Sequence, residues 1–355
     1  MKTTNKKLHL ELLRFLAILF VIFNHTGTHG YLYFTTVAGS ALYPLFFFLS
    51  MLCKLAVPLF WMVSGALLID RNESLKQLYL RRVLRMAIVL LLFSFLYYLN
   101  SARFNPGFRF SPVYFLTQVY STKYAPAFWF LYAYLGMLVI LPLIRAMAKN
   151  LTNREFMYFF AAMLIIRGIL PVAEYAYSHG EMTIEPNFLN NFLSYDMVYF
   201  LMGYFLEKRI SVQKLNYKTA LLLIAGGLAA MLVMGFGTQL FLNDGGSMTD
   251  AAAENFYPGL LLVPSAALYY LMRLVFRDKR TDNFGARLIV FLGGVSFGVM
   301  LLEHFLRLEL EGVLSAMLGI MPEFIACILW TALIYLCGAA ITFVLKHIPG
   351  LKKIL

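Results

Sequence analysis

Apolar runs long enough to cross a bilayer recur along the whole of this chain, and the stretches between them are too short to build a soluble core. Hydropathy and length place ten helices, approximately 8–28, 42–69, 80–99, 127–145, 155–173, 191–207, 218–241, 256–277, 287–308 and 323–346. The run 191–207 is short, and 42–69 is long enough to tilt or to break near Pro58. A chain of 355 residues with 61% hydrophobic residues, 14% charged residues and a mean hydropathy of +0.73 has the composition of a polytopic membrane protein. The expected fold class is all-α, an integral membrane helix bundle forming one membrane-embedded domain over 1–355.

The formal charge of +12 is explained by loop asymmetry rather than by nucleic-acid binding. With the N-terminus in the cytoplasm, the inner side collects Lys2, Lys6 and Lys7, then Arg71, Lys76, Arg81, Arg82 and Arg85, then Arg145, Lys149 and Arg154. Lys208, Arg209, Lys214 and Lys218 follow, then Arg273, Arg277, Lys279, Arg280 and Arg287, and last Lys346, Lys352 and Lys353. The outer side keeps Arg103, Arg109, Lys123 and Arg307. Loops 174–190 and 242–255 carry Glu174, Glu181, Glu185, Asp244, Asp250 and Glu254 but no Lys or Arg. An odd number of spans would scramble this pattern, so both termini are expected in the cytoplasm.

The N-terminal run lacks a small-x-small cleavage site and is interrupted by charges, so it reads as a retained first span. Cys53, Cys327 and Cys337 lie inside apolar segments with no metal-ligand spacing and read as small hydrophobes; no metal site is expected. In the outer loop, Phe104-Asn105-Pro106-Gly107-Phe108 is a turn signal, and Pro112 to Tyr120 is an amphipathic piece suited to the interface.

The first run, Leu8 to Gly27, carries Glu11, Arg14, Asn24 and His25. A charge near the bilayer centre costs on the order of 3 kcal/mol even on the mildest scales, so it normally faces a bundle interior or a wet cavity. Arg14 and His25 are eleven residues apart, which is three turns plus roughly 20°, so they share one face about 16 Å apart along the axis. Glu11 stands one turn before Arg14 on the same stripe. Singly, Arg14 can snorkel to the headgroups and His25 can be a helix-end residue. The joint spacing favours function.

Lys54 lies mid-span and needs a polar cavity or a carboxylate, whereas Arg167 is near enough to a helix end to snorkel. Arg82 and Arg85 stand one turn apart at the start of the third span, an arrangement suited to gripping phosphate.

Arg14, ten residues and then His25 resembles the signature of the acyltransferase 3 family, with Glu11-Leu12-Leu13-Arg14 standing where the family usually has Asp-Gly-Leu-Arg. Further segments resemble that family in order: Val57-Pro58-Leu59-Phe60-Trp61-Met62-Val63-Ser64-Gly65, Arg82-Val83-Leu84-Arg85, Phe128-Trp129-Phe130-Leu131-Tyr132, Tyr199-Phe200-Leu201-Met202-Gly203-Tyr204 and Ser296-Phe297-Gly298-Val299. Two departures stand out. The late helix continues Met300-Leu301-Leu302-Glu303, so His304 comes one place later than the family's histidine, about 100° around a helix. Ala127 and Phe128 replace the histidine often found before the Trp-Phe-Leu segment.

The resemblance implies an integral membrane acyltransferase, most plausibly an O-acetyltransferase in a bacterial cytoplasmic membrane. Its donor is cytoplasmic acetyl-CoA or another acyl-CoA, with no permanently bound cofactor, and its acceptor is a carbohydrate or lipid-linked glycan. It makes His25, Arg14 and Glu11 the catalytic group and Arg82 and Arg85 the donor-binding pair. Asn24, Lys54, Ser64, Trp129, Glu303 and His304 are candidates to line the cavity. Blander readings stand beside these: Trp129 in an interfacial belt, Ser64-Gly65 at a close helix contact, His304 as a satisfied bundle histidine. His25 can act as general base or carry the acyl group covalently. His9, His29, His179 and His347 lie near ends or loops and receive no role. No hydrolase-like domain is expected beside the bundle, so delivery to the acceptor would fall to it alone or to a glycan-assembly or acyl-accepting partner protein. The competing readings are a transporter or flippase of a sugar, lipid or small solute, and a sensor or scaffold without catalysis.

Overall fold

A computed structural model describes residues 7–105, 107–185, 194–247, 258–277 and 283–354. Lys2, Lys6, Pro106, Asp250, Glu254, Lys279, Arg280 and the starts of the runs at 191 and 256 lie outside the described residues. The described residues form helices joined by turns and short loops, with no strand among them. Eight helices are long and apolar enough to cross a membrane by length and composition: Tyr43–Leu68, Leu75–Ser101, Pro126–Asn150, Asn153–Ser178, Tyr217–Asn243, Pro258–Val275, Phe284–Glu309 and Glu323–Leu345. The two other expected spans are shorter helices. The first, α1, is Leu8–Asn24, 17 residues long. It stops short of the expected end at 28: His25 caps it, and Gly27 just beyond takes φ +61°, a conformation that does not continue a right-handed helix.

The expected 42–69 span is two helices, α2 (Tyr43–Cys53) and α3 (Ala56–Leu68), parted at Lys54-Leu55. Pro58 explains the position of the break. A proline has no N–H to give the carbonyl four residues back, which here belongs to Lys54. In the third position of α3 the missing donor is tolerated, because the first N–H groups of a helix have no intrahelical partner.

Further helices are α4 (Leu75–Ser101), α5 (Pro112–Ser121, the expected amphipathic piece, capped by the Ser111 hydroxyl), α6 (Pro126–Asn150) and α7 (Asn153–Ser178). Then come α8 (Tyr195–Tyr204, continued by a π turn Phe205–Arg209), α9 (Tyr217–Asn243), α10 (Pro258–Val275), α11 (Phe284–Glu309), α12 (Glu311–Leu318), α13 (Glu323–Leu345) and α14 (Leu351–Ile354). Large apolar side chains point outward from these helices, among them Leu232 and Phe236 of α9 and Leu336 and Val344 of α13, as lipid-facing positions require.

Packing divides the chain into two compact units. The first holds 1–70 and 147–293; in it α3 packs on α8, α9 on α10, and α1 on α3 and α10. The α3–α8 contact is backbone against backbone. A Cβ on Gly65 would strike the Phe200 carbonyl, and one on Gly203 would strike that of Met62. Gly65→Ala and Gly203→Ala are each expected to destabilise the detergent-solubilised protein by about 1–3 kcal/mol, read as a lower thermal unfolding midpoint, because neither backbone can yield. Gly226→Ala, which meets only the Val263 side chain at an ordinary 3.5 Å, is the matched control.

In the same unit, arginines close helix ends. Arg209 Nη2 donates to the carbonyls of Ala148 and Leu151 (both 2.8 Å) and Lys149 (3.2 Å), and Arg273 Nη1 donates to those of Leu206 and Ile210. These carbonyls lie at or just past helix ends, where intrahelical N–H partners run out. The second unit holds 71–146 and 294–355, with α4 packed on α5 and α14, and α12 on α13.

Candidate functional site

In the first unit, α1 brings Glu11 and Arg14 together, as one turn of helix predicts. Arg14 Nη1 lies 3.2 and 3.3 Å from the two carboxylate oxygens of Glu11, one turn back. Glu11 is buried, and α11 closes against it so tightly that a Cβ on Gly293 would overlap the Glu11 backbone. Burial makes the pairing obligatory, since a lone carboxylate there would lose its hydration without compensation.

His25 sits at the other end of α1, as its C-cap. Its backbone N–H bonds to the carbonyl of Ile22 and its side chain is half-buried. The following turn is tied by Thr26, whose hydroxyl donates to Phe23 O (2.7 Å) and accepts from the Tyr31 N–H (2.8 Å). Beside His25, the Asn24 Oδ1 is enclosed with no hydrogen-bond partner among the described residues. Lys54, at the break between α2 and α3, places its ammonium 5.0 Å from the centre of the Tyr31 ring. The segment after His25 and the mid-span lysine are therefore neighbours. Ser64 is half-buried next to the Gly65 backbone contact, which favours the packing reading of that pair. Arg167 lies on a π turn, Ile165–Ile169, with its guanidinium 5.3 Å from the Tyr195 ring.

A second ionic cluster at the start of α1 was not legible from the sequence. Glu207 takes Lys7 Nζ on one oxygen (2.5 Å), and on the other His9 Nε2 (3.0 Å), the Tyr269 hydroxyl (2.8 Å) and, at 3.5 Å, Arg273 Nε. His9, Glu207, Tyr269 and Arg273 are all buried. His9, placed by sequence among residues near helix ends, thus ties α1 to α8 and α10.

In the second unit, Arg82 and Arg85 reach different partners. Arg82 lies on a π turn, Tyr79–Val83, which interrupts the helical phase between the two. Its Nε lies 3.0 and 2.9 Å from the Glu73 oxygens and its Nη2 2.5 Å from Oε1, while Arg145 Nη2 lies 2.9 Å from Oε2. Arg85 Nε instead donates to the carbonyl of Ile354 in α14 (3.1 Å). Chiefly through its hydrogen bond with Arg82, the Glu73 carboxyl is held down to about 2 against the opposing effect of burial.

The late histidine belongs to a further cluster in this unit. Glu303, fully buried, accepts from Arg307 Nε at 2.7 Å one turn on, and Arg307 Nη2 lies 3.1 Å from His304 Nδ1. A guanidinium has no acceptor, so Nδ1 must accept, and the neutral ring carries its proton on Nε2. The ring stacks on Tyr97 at 5.8 Å, and Tyr97 meets Phe128 edge-on at 5.2 Å. Phe128 therefore contributes to this cluster, whereas Trp129 is 41% exposed, as an interfacial residue would be. The Glu303–Arg307 spacing of four is the one signal in the sequence that foreshadows the cluster.

Outside the membrane-spanning segments, Asp244 is held below the usual carboxylate range, first by His179 Nδ1 at 2.8 Å and then by the Tyr175 hydroxyl at 2.9 Å. His179 has φ +50° just past α7, so the contact closes a helix end.

The sequence profile of the acyltransferase 3 family, described as an acyltransferase domain, matches residues 8–347. No curated protein and no solved structure matches the chain. The match runs from the first residue of α1 almost to the end of the chain, taking in the Glu11–Arg14 pair, His25, the Arg82 turn and the Glu303 cluster. This multi-pass membrane protein belongs to the acyltransferase 3 family.

Proposed function

We propose that the protein is an O-acetyltransferase that moves an acetyl group from cytoplasmic acetyl-CoA to a hydroxyl of a cell-surface or lipid-linked carbohydrate. The observation that carries the reading is the part-buried Glu11–Arg14 pair on α1 with His25, eleven residues after Arg14, capping the same helix. In the proposed topology ten spans cross a bacterial cytoplasmic membrane with both termini inside, and Arg82 and Arg85 take the donor's phosphates at the inner face.

Neutral His25 takes the proton of the acceptor hydroxyl as its oxygen attacks the thioester carbonyl. The carbonyl carbon–sulfur bond then breaks and the proton passes to the departing thiolate, so the products are the ester and free coenzyme A. Arg14, held by Glu11, stabilises negative charge developing on the donor. In this reading Asn24 Oδ1, which has no hydrogen-bond partner among the described residues, accepts a hydrogen bond from the acceptor.

Membranes containing the protein, supplied with acetyl-CoA labelled in the acetyl group, are expected to accumulate label in a glycan fraction, released by mild base as an ester is. The transporter or flippase reading expects movement of an unmodified solute that does not depend on coenzyme A. Absence of base-labile label would overturn the acetyltransferase.

A further inference from the structure

We propose that Thr26 is a positioning residue for His25: its buried hydroxyl, bonded to the last turn of α1 on one side and to Tyr31 on the other, fixes the turn from which the imidazole projects. This rests on the reading of His25 as the base that takes the acceptor's proton.

His25 stands where the helix stops holding side chains in place. It caps α1 with φ −95° and ψ 10°, and its N–H bonds to Ile22, three residues back rather than four. Beyond it the backbone has little stiffness of its own. Gly27 takes φ +61° with nothing within 4 Å of where a Cβ would stand, and Gly30 follows three residues on. Glycine loses more conformational freedom on ordering than any other residue, so a turn that holds two of them needs ties from outside.

Thr26 supplies the tie at the helix. Its N–H (3.0 Å) and its hydroxyl (2.7 Å) both donate to Phe23 O, and the same hydroxyl accepts the Tyr31 N–H at 2.8 Å. One side chain thus closes the segment from Phe23 to Tyr31, with His25 inside it. Tyr31 is held from its other sides as well. The Ser50 hydroxyl of α2 donates to its carbonyl, and the Lys54 ammonium lies 5.0 Å from its ring centre. Thr26 and Tyr31 are 5% and 4% exposed, so a bond lost here leaves a buried group unpaired rather than one that water satisfies. Through this hydroxyl, α2 sets the backbone on the far side of His25.

Proton transfer is sensitive to such a tie. A base must stand about 2.6–3.2 Å from the atom whose proton it takes, and a misplacement of about 1 Å can cost about 10²-fold. Loss of the hydroxyl leaves α1 itself intact, because the backbone ladder that ends at Asn24 does not use it. The effect therefore falls on the chemical step.

The test compares Thr26→Val, which keeps the shape and removes the hydroxyl, with Thr26→Ser, which keeps the hydroxyl. Thr26→Val is expected to lower kcat for acetyl transfer about 10–100-fold at unchanged KM for acetyl-CoA and matched folded protein, and Thr26→Ser to recover most of it. In a His25→Ala background Thr26→Val should add nothing, because it acts through the imidazole. Apart from turnover, carbethoxylation of His25 by diethyl pyrocarbonate, followed by mass spectrometry on the purified full chain, should speed up several-fold in Thr26→Val and not in Thr26→Ser. Ser50→Ala, which releases Tyr31 from its other side, serves if the valine variant does not fold, and the same shifts are expected of it. An unchanged carbethoxylation rate in both Thr26→Val and Ser50→Ala would overturn the proposal. So would a loss from Thr26→Val that is as large in His25→Ala as in the parent chain, since the hydroxyl would then act elsewhere. Full transfer by His25→Ala, or none by any form, would sink the base reading instead, and the carbethoxylation rates then decide by themselves whether Thr26 sets the imidazole.

Discussion

His25→Ala is expected to lower acetyl transfer by about 10²–10⁴-fold, the range that a positioned general base contributes, while the protein remains folded. That factor corresponds to about 3–5 kcal/mol of activation free energy. Stability should change far less, because the bond closing α1 is made by the His25 backbone N–H to Ile22, which alanine retains. Transfer of label from acetyl-CoA, measured at matched folded protein, checks this against Arg14→Lys. Lysine keeps a charge near Glu11 but loses the planar fork, so it should fold and transfer slowly. Activity unaffected by His25→Ala would remove the imidazole from the mechanism and favour a carrier or a non-catalytic protein.

Glu207→Ala is expected to be the most destabilising single change, at about 3–5 kcal/mol, the usual penalty for breaking a buried ion pair by removing one partner. Glu207 is only 4% exposed, and its carboxylate is shared by Lys7, His9, Tyr269 and Arg273. Without it, Arg273 keeps its carbonyl contacts but loses its counter-charge, and α1 loses its tie through His9 to α8 and α10. Glu207→Gln, which keeps an acceptor oxygen but not the charge, should fall between the two. The thermal unfolding midpoint in detergent reads the order. Equal midpoints for all three would mean that the cluster adds nothing to the fold.

Much of the architecture was legible because membrane insertion is a local sum over residues. The apolar runs, the Pro58 effect and the amphipathic piece that became α5 each depend on a few consecutive side chains. The Glu11–Arg14 contact was legible for the same reason, since one turn of helix places the two side chains together. The separate partners of Arg82 and Arg85 were not legible. A π turn within 79–83 disturbs the helical phase, and nothing in the local hydropathy announces it.

The charged residues divide along the same line. Sequence by itself determined an all-helical membrane protein, the loops in which Lys and Arg gather, the Glu11–Arg14 contact on α1 and the family. Only the tertiary structure decided what those charges meet. Glu207 gathers Lys7, His9 and Arg273 from elements far apart in the chain, Arg209 and Arg273 close the ends of helices, and Glu73 stands between Arg82 and Arg145. The physical reason is one of range. Hydrophobic partition is additive along the chain and reads directly as a pattern. The partner of a buried charge is whichever opposite charge or carbonyl the packed helices bring within about 3 Å, and residues two hundred positions apart can supply it.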